Sequence, residues 1–158
     1  TFCTRPSFLD SANTTIEDII TEFIKHTDAD VIVLMHPNSP FLKLNTLNAC
    51  IENVTSKEFD SAFTAYKFNK FCWFEGKPLN YALDKPTPQL KDVEPIVLEQ
   101  SSLYVFSRDI FLKESKRVGG TTFIQYIDHF EGHDINQSED FEMAELIVNS
   151  GMFTEISK

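Results

Sequence analysis

Val31-Ile32-Val33-Leu34-Met35 is an unbroken apolar run, preceded by Asp30 and followed by His36-Pro37-Asn38-Ser39-Pro40. A short, unalternated β-type run of this kind predicts a strand buried on both faces of a parallel sheet. The two prolines after it exclude regular structure. Beyond them Leu44, Leu47, Ile51 and Val54 restore a helical period. Before it, Ile16, Ile19, Ile20, Phe23 and Ile24 repeat on one helical face, with Thr15 and Asp18 spaced as a capping box. Helix, strand, loop and helix in that order predict an α/β protein.

The rest of the chain continues the pattern. Residues 60–68 read as a strand. Phe71-Cys72-Trp73-Phe74 and Lys77-Pro78-Leu79-Asn80-Tyr81 flank Glu75-Gly76, which predicts a hairpin whose aromatic side favours a partner surface. Residues 84–95 are polar and proline-rich and read as an ordered loop or crossover. Residues 101–106 predict a strand, followed by a helix over about 109–114 with Ser107 as its cap. A Gly119-Gly120 turn leads to a strand over 121–127. A last helix starts at Ser138, with Phe141, Ala144 and Val148 facing inward. At 158 residues the chain fits a single domain, 1–158.

Composition narrows the function classes. A formal charge of −10 argues against a nucleic-acid binder, which needs clustered Lys and Arg to neutralise phosphates, and gives no reason to expect an anionic membrane surface. No apolar run reaches membrane-spanning length. Cys3, Cys50 and Cys72 are widely spaced, with no CxxC pair, which fits reduced thiols and a cytoplasmic location better than a disulfide framework or a zinc site. With only five glycines, backbone sites for close phosphate approach are few, and neither a GxGxxG nor a P-loop motif occurs.

Two polar constellations remain. His36, Asn38 and Ser39 sit at the carboxyl end of the apolar strand, where ligands bind in open α/β sheets, and offer donors and acceptors for a hydroxylated ligand. The same loop also reads as a rigid turn that only positions the next helix. Asp134 and Asn136 alternate with Ile135, so an extended segment points both to one side, as oxygen ligands for magnesium. Glu139 and Asp140 read better as acids at the start of the last helix.

Taken in order, these segments resemble the cytidylyltransferases that make CMP-activated acidic sugars, the acylneuraminate group. The run from Asp30 to Pro40 is similar to a D-V-V-V-L-L-Q-P-T-S-P segment. Trp73 and Glu75-Gly76-Lys77-Pro78-Leu79-Asn80-Tyr81 resemble a W-x-x-G-K-P-x-N-Y hairpin. Glu94-Pro95-Ile96, Glu99 and Leu103-Tyr104-Val105-Phe106 resemble E-P-I-x-x-E-x-x-x-Y-I-F. The stretch from His133 to Ala144 resembles I-D-I-D-x-x-E-D-F-x-x-A. Arg5-Pro6 and the helix after it are similar to the stretch behind the family's third strand.

The resemblance implies a Rossmann-like, mostly parallel sheet with flanking helices, of the nucleotide-diphospho-sugar transferase type, with a β-hairpin dimerisation arm at about 70–84. It implies a reaction of CTP with a sugar acid such as a sialic acid, releasing pyrophosphate with magnesium, in a homodimer. His36, Asn38, Ser39, Lys91 and Gln100 would bind substrate, Asp134 and Asn136 the metal, and Trp73 and Tyr81 would belong to the arm. The chain departs from the family at His36, where a Gln is usual, at Asn136, where a second Asp is usual, and at Lys91, where many members have an Arg. The family's opening Gly-, Arg- and Lys-rich nucleotide loop should precede Arg5 and is not in this sequence, so an N-terminally truncated fold is expected. Three readings follow: the sugar-side part of a CMP-sugar synthetase, a non-catalytic domain that holds a sugar acid or dimerises, and a pure interaction protein.

Overall fold

The computed structural model describes residues 3–151 and 153, so the ends of the expected 1–158 domain lie outside the described residues. Six strands and four α-helices follow one another as α1 (Ile16–Ile24), β1 (Val31–Met35), α2 (Leu44–Thr55), β2 (Ser61–Phe68), β3 (Trp73–Phe74), β4 (Lys77–Pro78), β5 (Ile96–Ser107), α3 (Arg108–Glu114), β6 (Thr122–Tyr126) and α4 (Ser138–Asn149), among the described residues. Short 3-10 turns lie at Ser7–Asp10 and Leu90–Asp92.

The main sheet has the order β1-β5-β2-β6, and β3 and β4 form a separate two-stranded ribbon. β1 and β5 are antiparallel, with Val31 opposite Ser107 and Met35 opposite Leu103. Asp60 N–H donates to Thr121 O and Ile127 N–H to Ala65 O, so β2 and β6 run the same way. Ser107 N–H donates to Asp60 O while Thr64 Oγ1 reaches Gln100 O, so β5 runs against β2 as well. β1, β2 and β6 therefore share a direction and β5 opposes them, which is the mixed, mostly parallel sheet of an α/β fold.

Contacts group the chain into two compact units. The first holds the chain up to His36, Leu44–Phe63 and Leu103–Gln125. There Ile20, Ile24, Ile32, Cys50, Val54 and the fully buried run from Leu103 to Phe106 form the core. Thr15 and Asp18 form the capping box of α1, as their spacing predicts. The Arg108 guanidinium donates to the carbonyls of Ile24 and Thr27, which satisfies acceptors left open where α1 ends. Ser107 caps α3 by accepting from Ile110 N–H. Gly120 has φ +61°, and a Cβ there would fall 2.3 Å from the Asp60 carboxylate, which itself accepts from Thr121 N–H. A side chain at that position would open the turn.

The second unit holds Pro37–Lys43, Thr64–Ser102 and the chain from Tyr126 on. Phe41, Ala144 and Ile147 are its core cluster, with Ile135 and Phe153 packed against them. The hairpin turn is Glu75-Gly76, with φ 49° and 76°. Two positive φ values in a two-residue turn match the right-handed twist of the flanking strands.

Several expectations need correction. β1 is buried on one face only: Ile32 is 4% exposed, whereas Val33 and Met35 are 39% and 50% exposed. It lies at the edge of this sheet, with β5 as its one strand neighbour among the described residues. In α2 the buried positions are Thr46, Cys50 and Val54, and Leu44 faces out. α4 is capped by Gln137 rather than Ser138, in a capping box closed by Asp140. Its buried residues are Ala144 and Ile147; Phe141 and Val148 instead line an open apolar groove with Pro40, Phe41 and Ile135. β5 begins at Ile96, five residues before the predicted 101.

Candidate functional site

Within the second unit the proline-bracketed loop after β1 meets the segment that leads into α4. Asn38 Nδ2 lies 3.4 Å from Ile135 O and 3.1 Å from Asn136 Oδ1, and Ile135 N–H donates to Asn38 O at 2.8 Å. Asn136 Nδ2 donates to Asp134 Oδ2 at 2.7 Å. Asn38 of the first constellation and Asp134 and Asn136 of the second thus form one cluster, and Asp134 and Asn136 do face the same side. Ser39 is 8% exposed, and its hydroxyl has no hydrogen-bond partner among the described residues. Buried polar groups are nearly always paired, so an orphan hydroxyl next to this cluster calls for an explanation.

The cluster is held from both sides. Asp140 Oδ2 accepts from the backbone N–H groups of Asn136 (3.0 Å) and Gln137 (2.9 Å). Those bonds, Asn136 first, hold the Asp140 carboxyl below the usual carboxylate range. His133 Nε2–H donates to Asp140 O at 2.8 Å and ties the same segment to the first turn of α4. Asp140 is therefore the helix-start residue that its position suggested.

The other end of the loop is fastened by a residue the sequence did not mark. Lys43 N–H donates to Glu131 Oε1 at 3.2 Å, and Lys43 Nζ reaches Asp128 Oδ2 at 2.7 Å and Glu131 Oε2 at 3.3 Å. Glu131 is 3% exposed. The hydrogen bond to Asp128 raises the Lys43 ammonium above its ordinary value, and the same bond, followed by that from Glu131 N–H, lowers Asp128. Lys43 and Glu131 are 88 residues apart, so no local spacing could reveal the pair.

The other expected site residues are not partners in the hydrogen bonds of this cluster given above. His36 belongs to the first unit, its ring centroid 6.3 Å from that of Tyr104. Lys91 is exposed on the 3-10 turn before β5. Gln100 lies on β5, its Cγ close against Gly132. Trp73 and Tyr81 pack edge to face on the hairpin, at 6.2 Å.

The donor set suits only a loosely held cation. Among the described residues no three His, Cys, Asp or Glu side chains are arranged to hold a metal ion. Asp134 offers one carboxylate oxygen beyond the bond from Asn136, and the Asn136 carbonyl accepts from Asn38. This fits an ion that takes one carboxylate and completes its shell with substrate phosphates and water, as magnesium does.

Sheet order, strand directions and flanking helices define an α/β fold of the nucleotide-diphospho-sugar transferase type. Solved structures of two cytidylyltransferases share this fold. The 4-diphosphocytidyl-2C-methyl-D-erythritol synthase of Anaerococcus prevotii matches with a TM-score of 0.61 at 14% identity, over 87% of this chain and 68% of that one. A CMP:2-keto-3-deoxy-manno-octonic acid synthetase complexed with CTP matches with a TM-score of 0.62 at 10% identity, over 88% of this chain and 70% of that one. At such identities the likeness is one of fold. No family model and no curated protein matches the sequence.

Proposed function

We propose that this chain carries the sugar-binding and dimer-forming part of a CMP-acidic-sugar synthetase, which joins CTP to a sugar acid and releases pyrophosphate. The observation behind this reading is the bond from Asn38 to Asn136, 98 residues on in sequence, which in turn donates to Asp134, next to the Ser39 hydroxyl that has no partner among the described residues. The cytidylyltransferase fold supports it, since solved proteins of that fold include a CMP-sugar-acid synthetase that binds CTP.

In this reading Asn38 and Ser39 bond the sugar hydroxyls, and the sugar takes over the bond that Ser39 lacks. Lys91 attracts the carboxylate as a point charge, without the bidentate geometry of an arginine. Gln100 adds a further polar contact. Asp134, steered by Asn136, would hold magnesium, which would supply positive charge to neutralise the phosphates. The sugar hydroxyl oxygen bonds to the α-phosphorus as the bond to the β-phosphate oxygen breaks; the hydroxyl proton goes to solvent and pyrophosphate leaves. Trp73 and Tyr81 serve the contact with a second copy.

A specific observation favours a second reading, a non-catalytic sugar-binding or dimerising member. Asn136 is neutral, and both ends of its amide are engaged inside the protein, so one carboxylate stands where the family resemblance implies two. Calorimetric titration with CTP and with sialic-type sugar acids, with and without magnesium, separates the two. Magnesium-dependent CTP binding together with sugar-acid binding supports the synthetase. Sugar-acid binding alone supports the non-catalytic domain, and binding of neither overturns both.

A further inference from the structure

The ribbon of β3 and β4 leaves the chain near Lys70 and returns at Asn80, where Asn80 uses its whole amide. Its Oδ1 accepts from Cys72 N–H at 2.9 Å, and its Nδ2 donates to the carbonyls of Lys70 at 2.8 Å and Glu94 at 2.9 Å. The first two bonds, with Leu79 N–H to Cys72 O at 2.8 Å, close the base of the hairpin on itself. The third leaves the hairpin and reaches the segment that enters β5.

A second asparagine makes a parallel link. With its amide nitrogen facing the nearby acceptors, Asn69 donates to the carbonyls of Leu90 and Val93, each at 3.3 Å. The hairpin base is thereby fastened twice to residues 90–94, the turn that carries Lys91. Val93, 4% exposed, roots that turn in the core. The hairpin has little burial of its own: Trp73, Phe74 and Leu79 are each more than half exposed, and an isolated two-stranded ribbon is marginal in water.

We infer that Asn80, assisted by Asn69, is a positioning residue that makes the aromatic hairpin and the Lys91 turn one rigid piece. Displacing the hairpin then displaces the lysine offered to a sugar carboxylate. The link to the sugar rests on the proposed function; the mechanical coupling does not.

Trp73 is the one tryptophan of the chain, so its fluorescence reports on the hairpin. Asn80→Asp keeps the acceptor toward Cys72 and removes both donors. In that variant the anisotropy of Trp73 falls and the amides of residues 90–94 exchange about tenfold faster, while the circular dichroism of the fold is unchanged. Calorimetry with N-acetylneuraminate then shows about tenfold weaker binding for Asn80→Asp and for Lys91→Ala, with the double variant no weaker than either single one. Unchanged anisotropy and exchange would overturn the coupling, whatever the protein binds. Additive losses in the double variant would overturn the link to Lys91. A wild type that binds no sugar acid removes the functional reading, and anisotropy and exchange still decide the coupling. Should Asn80→Asp fail to fold, Asn69→Asp loosens the same junction from its other side and is read in the same way.

Discussion

The Ser39 hydroxyl is buried without a partner among the described residues, and an unsatisfied buried hydroxyl costs about 1–3 kcal/mol. Ser39→Ala is therefore expected to leave stability in urea unchanged or to raise it by about 1 kcal/mol, while weakening sugar-acid binding; a clear loss of stability would show that the hydroxyl has a structural role. Asn136→Asp sets a second carboxylate beside Asp134 and removes the amide donor between them. Its melting temperature is expected to fall without magnesium and to rise more than that of the wild type when magnesium is added. Equal shifts in the two proteins would remove the metal from this site. The Lys43 clamp sets a pH window. Asp128 is lowered from 3.8, so its contribution is complete above that value and is lost as pH falls through the lower folded one. Lys43 is raised from 10.5, so its contribution is complete below that value and is lost as pH rises through the higher folded one. The melting temperature should be flat between about pH 5 and 9 as far as this clamp is concerned, and Asp128→Asn should soften the acid limb. Residue types at 36–39 and 134–136 were legible because polar groups at a strand end and before a helix stand out in a sequence. Their mutual bonds were not, because partners 97 residues apart leave no local period.

Strands and helices were legible wherever their cause is local. The capping box of α1 and the Ser107 cap of α3 depend on residues three apart, and both stand as their spacing implies. Burial was less legible. The run 31–35 is apolar at every position, so it has no alternation to say which face is covered, and the face of Val33 and Met35 is the open one. Ile32→Ala is thus expected to cost about 3 kcal/mol in urea unfolding and Val33→Ala less than about 1 kcal/mol; similar costs would mean that the outer face is covered after all. In α4 the apolar residues extend beyond one stripe, and contact with Phe41 selected Ala144 and Ile147 as the buried pair.

At the scale of the whole molecule, the exposed aromatic hairpin should mediate self-association. Light scattering should find a dimer for the wild type and a monomer for the double variant Trp73→Ala, Tyr81→Ala; a monomeric wild type would remove the arm from that role. The α/β class, the order of elements and the hairpin were determined by the sequence alone. They follow from periodicity, turn chemistry and short motifs, which act over a few residues. Tertiary structure alone decided that β5 runs against its neighbours, that β1 is open on one side, that Glu131 clamps Lys43, and that Asn38, Asp134 and Asn136 form one cluster. Each of these depends on which distant segments the sheet brings together, and hydrophobic burial, which drives that assembly, is not directional and leaves no mark in the local spacing of residues.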